Sequence, residues 1–265
     1  MGGSPSDPET LLSGRDRFAQ TYERDLAREA MWLQAGAANK ADSIELLLEQ
    51  EGLRLSSMLE LGCGTGAVTL ECQRRGLAQT FTAVDYSATA ISHLREQSRG
   101  IRCHVGDVMS LEAHDLAGPY DLVVLTHVLE HLEEPRALLD SLDRALRYRY
   151  LLLEVPLDDL VASRIKNLVR DRRANSAGHV QFFTRSSFET LVEDAGFEIL
   201  QRRTYAPAVS LEALDVVGVG SPRSVRRRIQ RLTGHHLPRL LGPLWKRFYY
   251  GHHAVLCRRP APTAR

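Results

Sequence analysis

The stretch "HVLEHLEEP" (127–135) sets two histidines four residues apart, with a glutamate beside the second. On a regular helix that spacing turns both imidazoles to one face, and His-x-x-Glu-His is the inverted form of a zinc-protease signature. Such a site needs the motif within a helix and a further ligand from elsewhere. The motif directly follows "DLVVLT", a run of strand character, so His127 falls at a strand–helix junction. The expectation is therefore no metal, with His127 and, one turn on, His131 lining a pocket at the end of a strand.

A second constellation lies upstream. In "LELGCGTG" (59–66), Gly62, Gly64 and Gly66 remove side chains where a strand turns into a helix, so that backbone and Cys63 can approach a ligand closely. With Ala67 the loop also satisfies a dinucleotide-binding pattern. Glu60, two residues before the first glycine, is a poor neighbour for a pyrophosphate and suits an ammonium or sulfonium. Asp85, about 20 residues on, can accept hydrogen bonds from both hydroxyls of a ribose, with Tyr86 beside it. Asp107 can accept from an adenine amino group, with Val108 and Met109 near the ring. Any one of these acids alone reads as a turn or cap residue; three at successive strand ends read as a cofactor site.

The elements that must position these groups follow from periodicity. Apolar strand-like runs alternate with helical patterns, which argues for a mostly parallel sheet covered by helices. Strands are predicted at 57–62, 80–85, 101–107, 120–126, 148–156, 197–205 and 253–259, and helices at 67–75, 89–98, 135–146 and 186–195. Continuous apolar runs such as "LVVL" and "LLL" suit strands buried on both faces. Ser186 and Glu189 have the spacing of a capping box. Residues 15–51 read as one or two helices, and 157–181 and 206–251 are long connections.

On "LELGCGTG", "AVDYSATAI", "GDV" and "DLVVLTHVLEHLEEP", the chain resembles the class I, seven-stranded Rossmann-like S-adenosylmethionine-dependent methyltransferases over roughly residues 40–205. The segment "LLLEVP…GHVQFFTRSSFETLVEDAGFEIL" resembles their small-molecule, ubiquinone-type subgroup. The resemblance implies a doubly wound α/β sheet of order 3-2-1-4-5-7-6 with the last strand antiparallel, and S-adenosyl-L-methionine as cofactor. It places the methionine end at Glu60, Gly62, Cys63, Gly64 and Gly66, the ribose at Asp85 and Tyr86, and the adenine at Asp107, Val108 and Met109. It sets Thr126 and His127 against the cofactor, makes His127, His131 and His179 candidate catalytic residues, and makes the N-terminal helices a lid carrying Tyr22 and Trp32. The "Pro-Pro-Tyr/Trp" motif of amino-group nucleic-acid methylases is absent: Thr126, His127 and Val128 stand there, which argues against exocyclic base methylation.

The reading is one methyltransferase domain over 15–265 after a disordered lead-in (1–14): a helical lid (15–56), a cofactor-binding core (57–205), a basic insertion (206–251) and a last strand (252–259). At 265 residues, 43% hydrophobic and 25% charged, the composition is that of a soluble globular chain. No apolar run approaches the roughly 20 residues that span a bilayer, and "MGGSPSDPET" lacks the flank and core of a secretory signal. Cys63, Cys72, Cys103 and Cys257 form no Cys-x-x-Cys pair, so reduced thiols and a cytoplasmic location are expected. The net charge of +1 conceals an asymmetry: no Asp or Glu follows Asp215, while the last 50 residues carry 11 Lys/Arg. Arg223 and Arg227 head this cluster. Three partners compete for it: an anionic or lipid-linked small substrate, a membrane surface touched through 221–250, and RNA or another macromolecule; a solvated cap face is the bland alternative. A non-catalytic cofactor-binding module is the remaining reading, and the His pairs at 235–236 and 252–253 are expected to be incidental, with no acid nearby.

Overall fold

The computed structural model describes residues 14–113, 116, 118–157, 178–207, 211, 228–229, 231–241 and 251–260. In chain order the main elements are α1 (Gly14–Gln50), β1 (Ser57–Leu61), α2 (Ala67–Arg75), β2 (Thr80–Asp85), α3 (Ala88–Gln97), β3 (Ile101–Val105), β4 (Tyr120–Thr126), α4 (Pro135–Ala145), β5 (Tyr148–Leu157), α5 (Arg185–Asp194), β6 (Glu198–Tyr205), α6 (Leu237–Leu241) and β7 (Gly251–Arg258). The strands form one seven-stranded sheet of order β3-β2-β1-β4-β5-β7-β6. β1 to β5 pair in parallel, and β7 runs antiparallel between β5 and β6. The expected α/β Rossmann-like architecture is the one observed.

Alternation explains why the central strands are apolar throughout. Leu59, Leu61, Val123, Leu125, Leu151 and Leu153 face one core, with Leu138 and Leu142 of α4 and Phe188 and Val192 of α5. Met58, Leu122, Val124 and Leu152 face the other, with Ile44 and Leu47 of α1, Val68 and Cys72 of α2, and Ile91 and Leu94 of α3. Both faces exclude water, so most positions of these strands are selected for apolarity, with Glu60 on β1 and Glu154 on β5 as buried exceptions. Fully burying one such Leu or Phe is worth about 1.5–3 kcal/mol. α1 supplies Ala37, Ala41, Ile44 and Leu48, all buried, at helical spacing. It is one helix broken at Asp25 (φ −153°, ψ 63°), within the stretch read as one or two.

Three details differ from expectation. β3 stops at Val105, so Asp107 stands in the loop beyond it; the Gly106 amide turns back to donate to the Asp85 carbonyl at 2.9 Å. The box at α5 is made two residues earlier than expected. The Ser187 amide donates to Thr184 Oγ1 at 3.0 Å, and the Thr184 amide to Ser187 Oγ at 2.9 Å. Glu189 is drawn off elsewhere: its carboxylate meets His253 Nε2 at 2.9 Å and Arg202 Nε at 3.0 Å. Finally, the segment after β4 is not a regular helix. Leu129–His131 forms one 3-10 turn, and α4 starts only at Pro135. The amphipathic stretch at 160–171, Arg223 and Arg227 lie outside the described residues. No helix among the described residues is long and apolar enough to cross a membrane.

Candidate functional site

The parallel strands bring β1, β2, β4 and β5 to a common edge at their C-terminal ends, where α/β sheets present ligand-binding loops. At β1 the chain turns through Gly62, Gly64 and Gly66, all at positive φ (72°, 55° and 77°). A Cβ at Gly62 would stand 2.6 Å from Val128 Cγ2, so the loops after β1 and β4 touch backbone to side chain. A Cβ at Gly64 would stand 2.6 Å from the Tyr22 hydroxyl. Helix α1 therefore rests directly on the glycine loop, and Tyr22 is buried there.

Two carboxylates frame this loop. Asp85 Oδ2 accepts from the Gly64 amide at 2.7 Å, and Oδ1 from the Ser87 amide at 2.9 Å. Burial raises the Asp85 carboxyl above its ordinary value, and the two amides partly offset this. Glu60 is 1% exposed. The Thr69 hydroxyl donates to its Oε2, and Thr126 Oγ1 stands 3.5 Å from Oε1. Burial pushes Glu60 up to about 7. A carboxylate this desolvated is completed by a cation. Asp107 Oδ1 accepts from the Met109 amide at 3.0 Å, Val108 is buried, and Met109 is exposed on the loop.

Histidines form the second half of the site. His127 adopts φ 60°, the left-handed region that costs a non-glycine residue roughly 1–2 kcal/mol. Its amide continues the β4–β5 ladder by donating to the Glu154 carbonyl at 2.9 Å. The left-handed turn sends the imidazole toward β5 and β7. His127 Nε2 lies 3.5 Å from Glu154 Oε1 and 3.2 Å from His252 Nδ1, and His252 Nδ1 lies 3.3 Å from the same Glu154 oxygen. The Tyr205 hydroxyl donates to that oxygen at 2.9 Å. His131 goes the other way: Nδ1 donates to the Gly178 carbonyl at 3.3 Å, and its ring meets His179 edge-on with centroids 5.0 Å apart. Between the two groups sits Glu130, 3.5 Å from His127 Nδ1 and 3.8 Å from His131 Nε2. The Glu130 carbonyl accepts from the Val180 and Gln181 amides, which pins the 178–183 segment and puts His179 in place.

A model of the methyltransferase domain matches residues 19–202. The chain belongs to the methyltransferase domain family. Among curated relatives, the ubiquinone biosynthesis O-methyltransferase of Caulobacter sp. (strain K31) is 39% identical over 89 residues, 32% of this chain and 33% of that protein. The enzyme of the same name from Caulobacter vibrioides is 35% identical over 101 residues, 37% of this chain and 38% of that protein. The match thus spans about a third of the length of these relatives. Among solved structures, the magnesium protoporphyrin IX methyltransferase ChlM of Synechocystis PCC 6803, with bound SAH, superposes with a TM-score of 0.58 at 18% identity, covering 93% of this chain and 98% of that one. The cyclase SpnF superposes with a TM-score of 0.61 at 15% identity, covering 98% and 100%. At these identities the structural matches establish the fold, which is the class I, seven-stranded one expected from the sequence.

In this chain the histidines that sequence spacing put on one face diverge. The 3-10 turn and the positive φ at His127 break the four-residue helical repeat, so the inverted zinc-protease geometry is not formed. Burial depresses His127 well below the usual imidazole value, and His131 to about 4. Burial and the nearby Glu154 charge push Glu130 up, to about 8. Burial alone would raise Glu154, but donation from His127 and His252 holds it low. Neutral imidazoles around one buried carboxylate are a poor match to a general base working near neutral pH, which wants a pKa close to the ambient value. Of the lid residues, Tyr22 reaches the glycine loop, whereas Trp32 is 44% exposed on α1.

His252 is not incidental, contrary to expectation. It is buried on β7, and its acid arrives from Glu154, about 100 residues earlier in sequence. His253 is equally buried on the opposite face, against Glu189 and Thr204. Glu154, Tyr205 and His252 were missed from the sequence because nothing local marks them; the "LLLEVP" run, with one charge inside a doubly buried strand, was the available signal. Among the described residues, two groups of side chains have ligand atoms close enough to share an ion: His127, Glu154 and His252, and Glu130, His131 and His179.

Proposed function

We propose that this protein transfers the methyl group of S-adenosylmethionine to a small-molecule acceptor. The observation that carries the reading is the pair of buried carboxylates, Glu60 and Asp85, flanking a loop of three left-handed glycines at the C-terminal ends of β1 and β2. Glu60 would complement the charge of the methionine end, Asp85 the ribose, and the loop of Asp107, Val108 and Met109 the adenine. The donor set fits: desolvated acids suit a cation and hydroxyls. The cofactor when bound supplies an activated methyl on a sulfonium. The chain supplies alignment and exclusion of water, which are the main requirements of an in-line displacement. Tyr22 on the loop and the His131–His179 pair at the end of β4 bound the reaction space on the lid and acceptor sides. The names of the curated relatives favour a hydroxyl oxygen as the acceptor atom.

The test is calorimetric titration with S-adenosylhomocysteine, followed by incubation with labelled cofactor and a metabolite extract. Binding, and label recovered in a small product, are expected. Failure to bind at high micromolar concentration removes the reading. Binding without label ever leaving the cofactor would instead support a non-catalytic module. Label in RNA or protein, with steep salt dependence, would support the macromolecular alternative.

A further inference from the structure

We propose that His127, Glu154 and His252 form a binding site for one divalent transition-metal cation of the zinc class. The ends of β4, β5 and β7 deliver three donor atoms to one point: His127 Nε2, Glu154 Oε1 and His252 Nδ1, separated by 3.5, 3.3 and 3.2 Å. A tetrahedral ion bound at about 2.0–2.1 Å requires neighbouring ligand atoms about 3.3 Å apart. The point equidistant from the three atoms lies about 1.9 Å from each, so an ion just out of their plane meets the bond length. Two nitrogens and one carboxylate oxygen are the donor set of catalytic zinc sites, with a fourth position left for water or a ligand.

Hydrogen bonding accounts for the triangle less well. All three edges are at or beyond the long end of the N–H···O range. Both imidazoles lie near a single carboxylate oxygen that already accepts from Tyr205 at 2.9 Å, and the same Tyr205 hydroxyl stands 3.2 Å from His252 Nδ1. The other oxygen, Glu154 Oε2, is buried with no hydrogen-bond partner among the described residues. A cation satisfies both nitrogens and the carboxylate charge at once, and Tyr205 then orients the ligating carboxylate. The left-handed backbone at His127 has a purpose in this arrangement, since it turns Nε2 toward β7. The His127 side chain is 19% exposed, whereas those of Glu154 and His252 are at most 7%, so an ion would enter past His127.

The site is tested on the full-length protein stripped with a chelator. Zinc is titrated by calorimetry, and cobalt(II) by the visible bands of tetrahedral coordination. One equivalent with tetrahedral cobalt bands is expected, weakened at least about tenfold in both His252→Ala and Glu154→Gln and retained in His131→Ala and His179→Ala. Should His252→Ala not fold, the nearly isosteric Glu154→Gln and anomalous diffraction from zinc-soaked wild-type crystals carry the decision. The anomalous peak belongs between His127 Nε2 and His252 Nδ1. No binding at high micromolar metal overturns the proposal. So does an ion lost on changing His131 or His179 but kept on changing His252 and Glu154. Neither readout depends on methyl transfer, so failure here leaves the proposed activity standing.

Discussion

Asp85 and Glu60 differ in what their burial has left them to do. Asp85 already holds two backbone amides, so its removal loses a ligand contact and orphans the Gly64 N–H. Asp85→Ala should weaken S-adenosylhomocysteine binding about tenfold or more, because a charge-assisted hydrogen bond is worth roughly 1.5–3 kcal/mol; calorimetry reads it directly. Glu60 has no comparable set of amides and is pushed up to about 7. Below that pH it is neutral in the free protein, and a cationic ligand favours its ionised form. Affinity for S-adenosylmethionine should therefore fall as pH drops from about 8 to about 6, with proton release on binding near neutrality. Titrations in buffers of different ionisation enthalpy would reveal that proton. Glu60→Gln should abolish both the pH dependence and the release. A pH-independent affinity in the wild type would remove Glu60 from the cofactor's charge environment.

At the scale of elements, the loops after β1 and β4 are fitted to one another by a missing side chain. Gly62→Ala adds a methyl 2.6 Å from Val128 Cγ2, at a backbone angle of φ 72°. Overpacking of this kind costs about 1–3 kcal/mol, and the left-handed conformation roughly 1–2 more. Chemical denaturation should show Gly62→Ala destabilised by several kcal/mol in total. Val128→Ala in the same background should restore the steric part only, leaving the backbone part. Full rescue would mean that the positive φ matters little; no rescue would mean that the two loops do not meet as described. The same contact shows why the sequence motif was informative: a glycine loop is legible locally, but its reason, Val128, lies 66 residues away.

Across the whole molecule, α1 is held to the body by charge as well as by its apolar face. Arg75 reaches Asp42 and Glu45 of α1 at 2.7 and 2.8 Å, and Glu71 of its own helix at 2.8 Å. The Arg74 guanidinium, joined by Arg75, holds the Glu71 carboxyl down to about 2. A carboxyl depressed in the folded state contributes stability above its ordinary pKa and loses it as pH falls through the folded value. Melting temperature should therefore decline between about pH 5 and about pH 2, and Glu71→Gln should flatten that decline; an identical slope in the variant would place the acid sensitivity elsewhere. The sequence by itself determined the strands, the sheet order through family resemblance, and the acids at the strand ends. Those features are local: a strand end, a glycine turn and an acid follow one another within a few residues, and two-sided burial imprints an unbroken apolar run. Ser186 and Glu189 show the limit of spacing, since Thr184 and Ser187 offer the same spacing two residues earlier and Glu189 pairs instead with His253. Only the tertiary structure decided which acid meets which histidine. Glu154, Tyr205 and His252 come from three strands and His127 from the turn after a fourth, and their meeting depends on β7 entering antiparallel between β5 and β6 and on one left-handed residue after β4. No periodicity records such a meeting, because strand order and a single backbone angle are set by packing across the whole sheet.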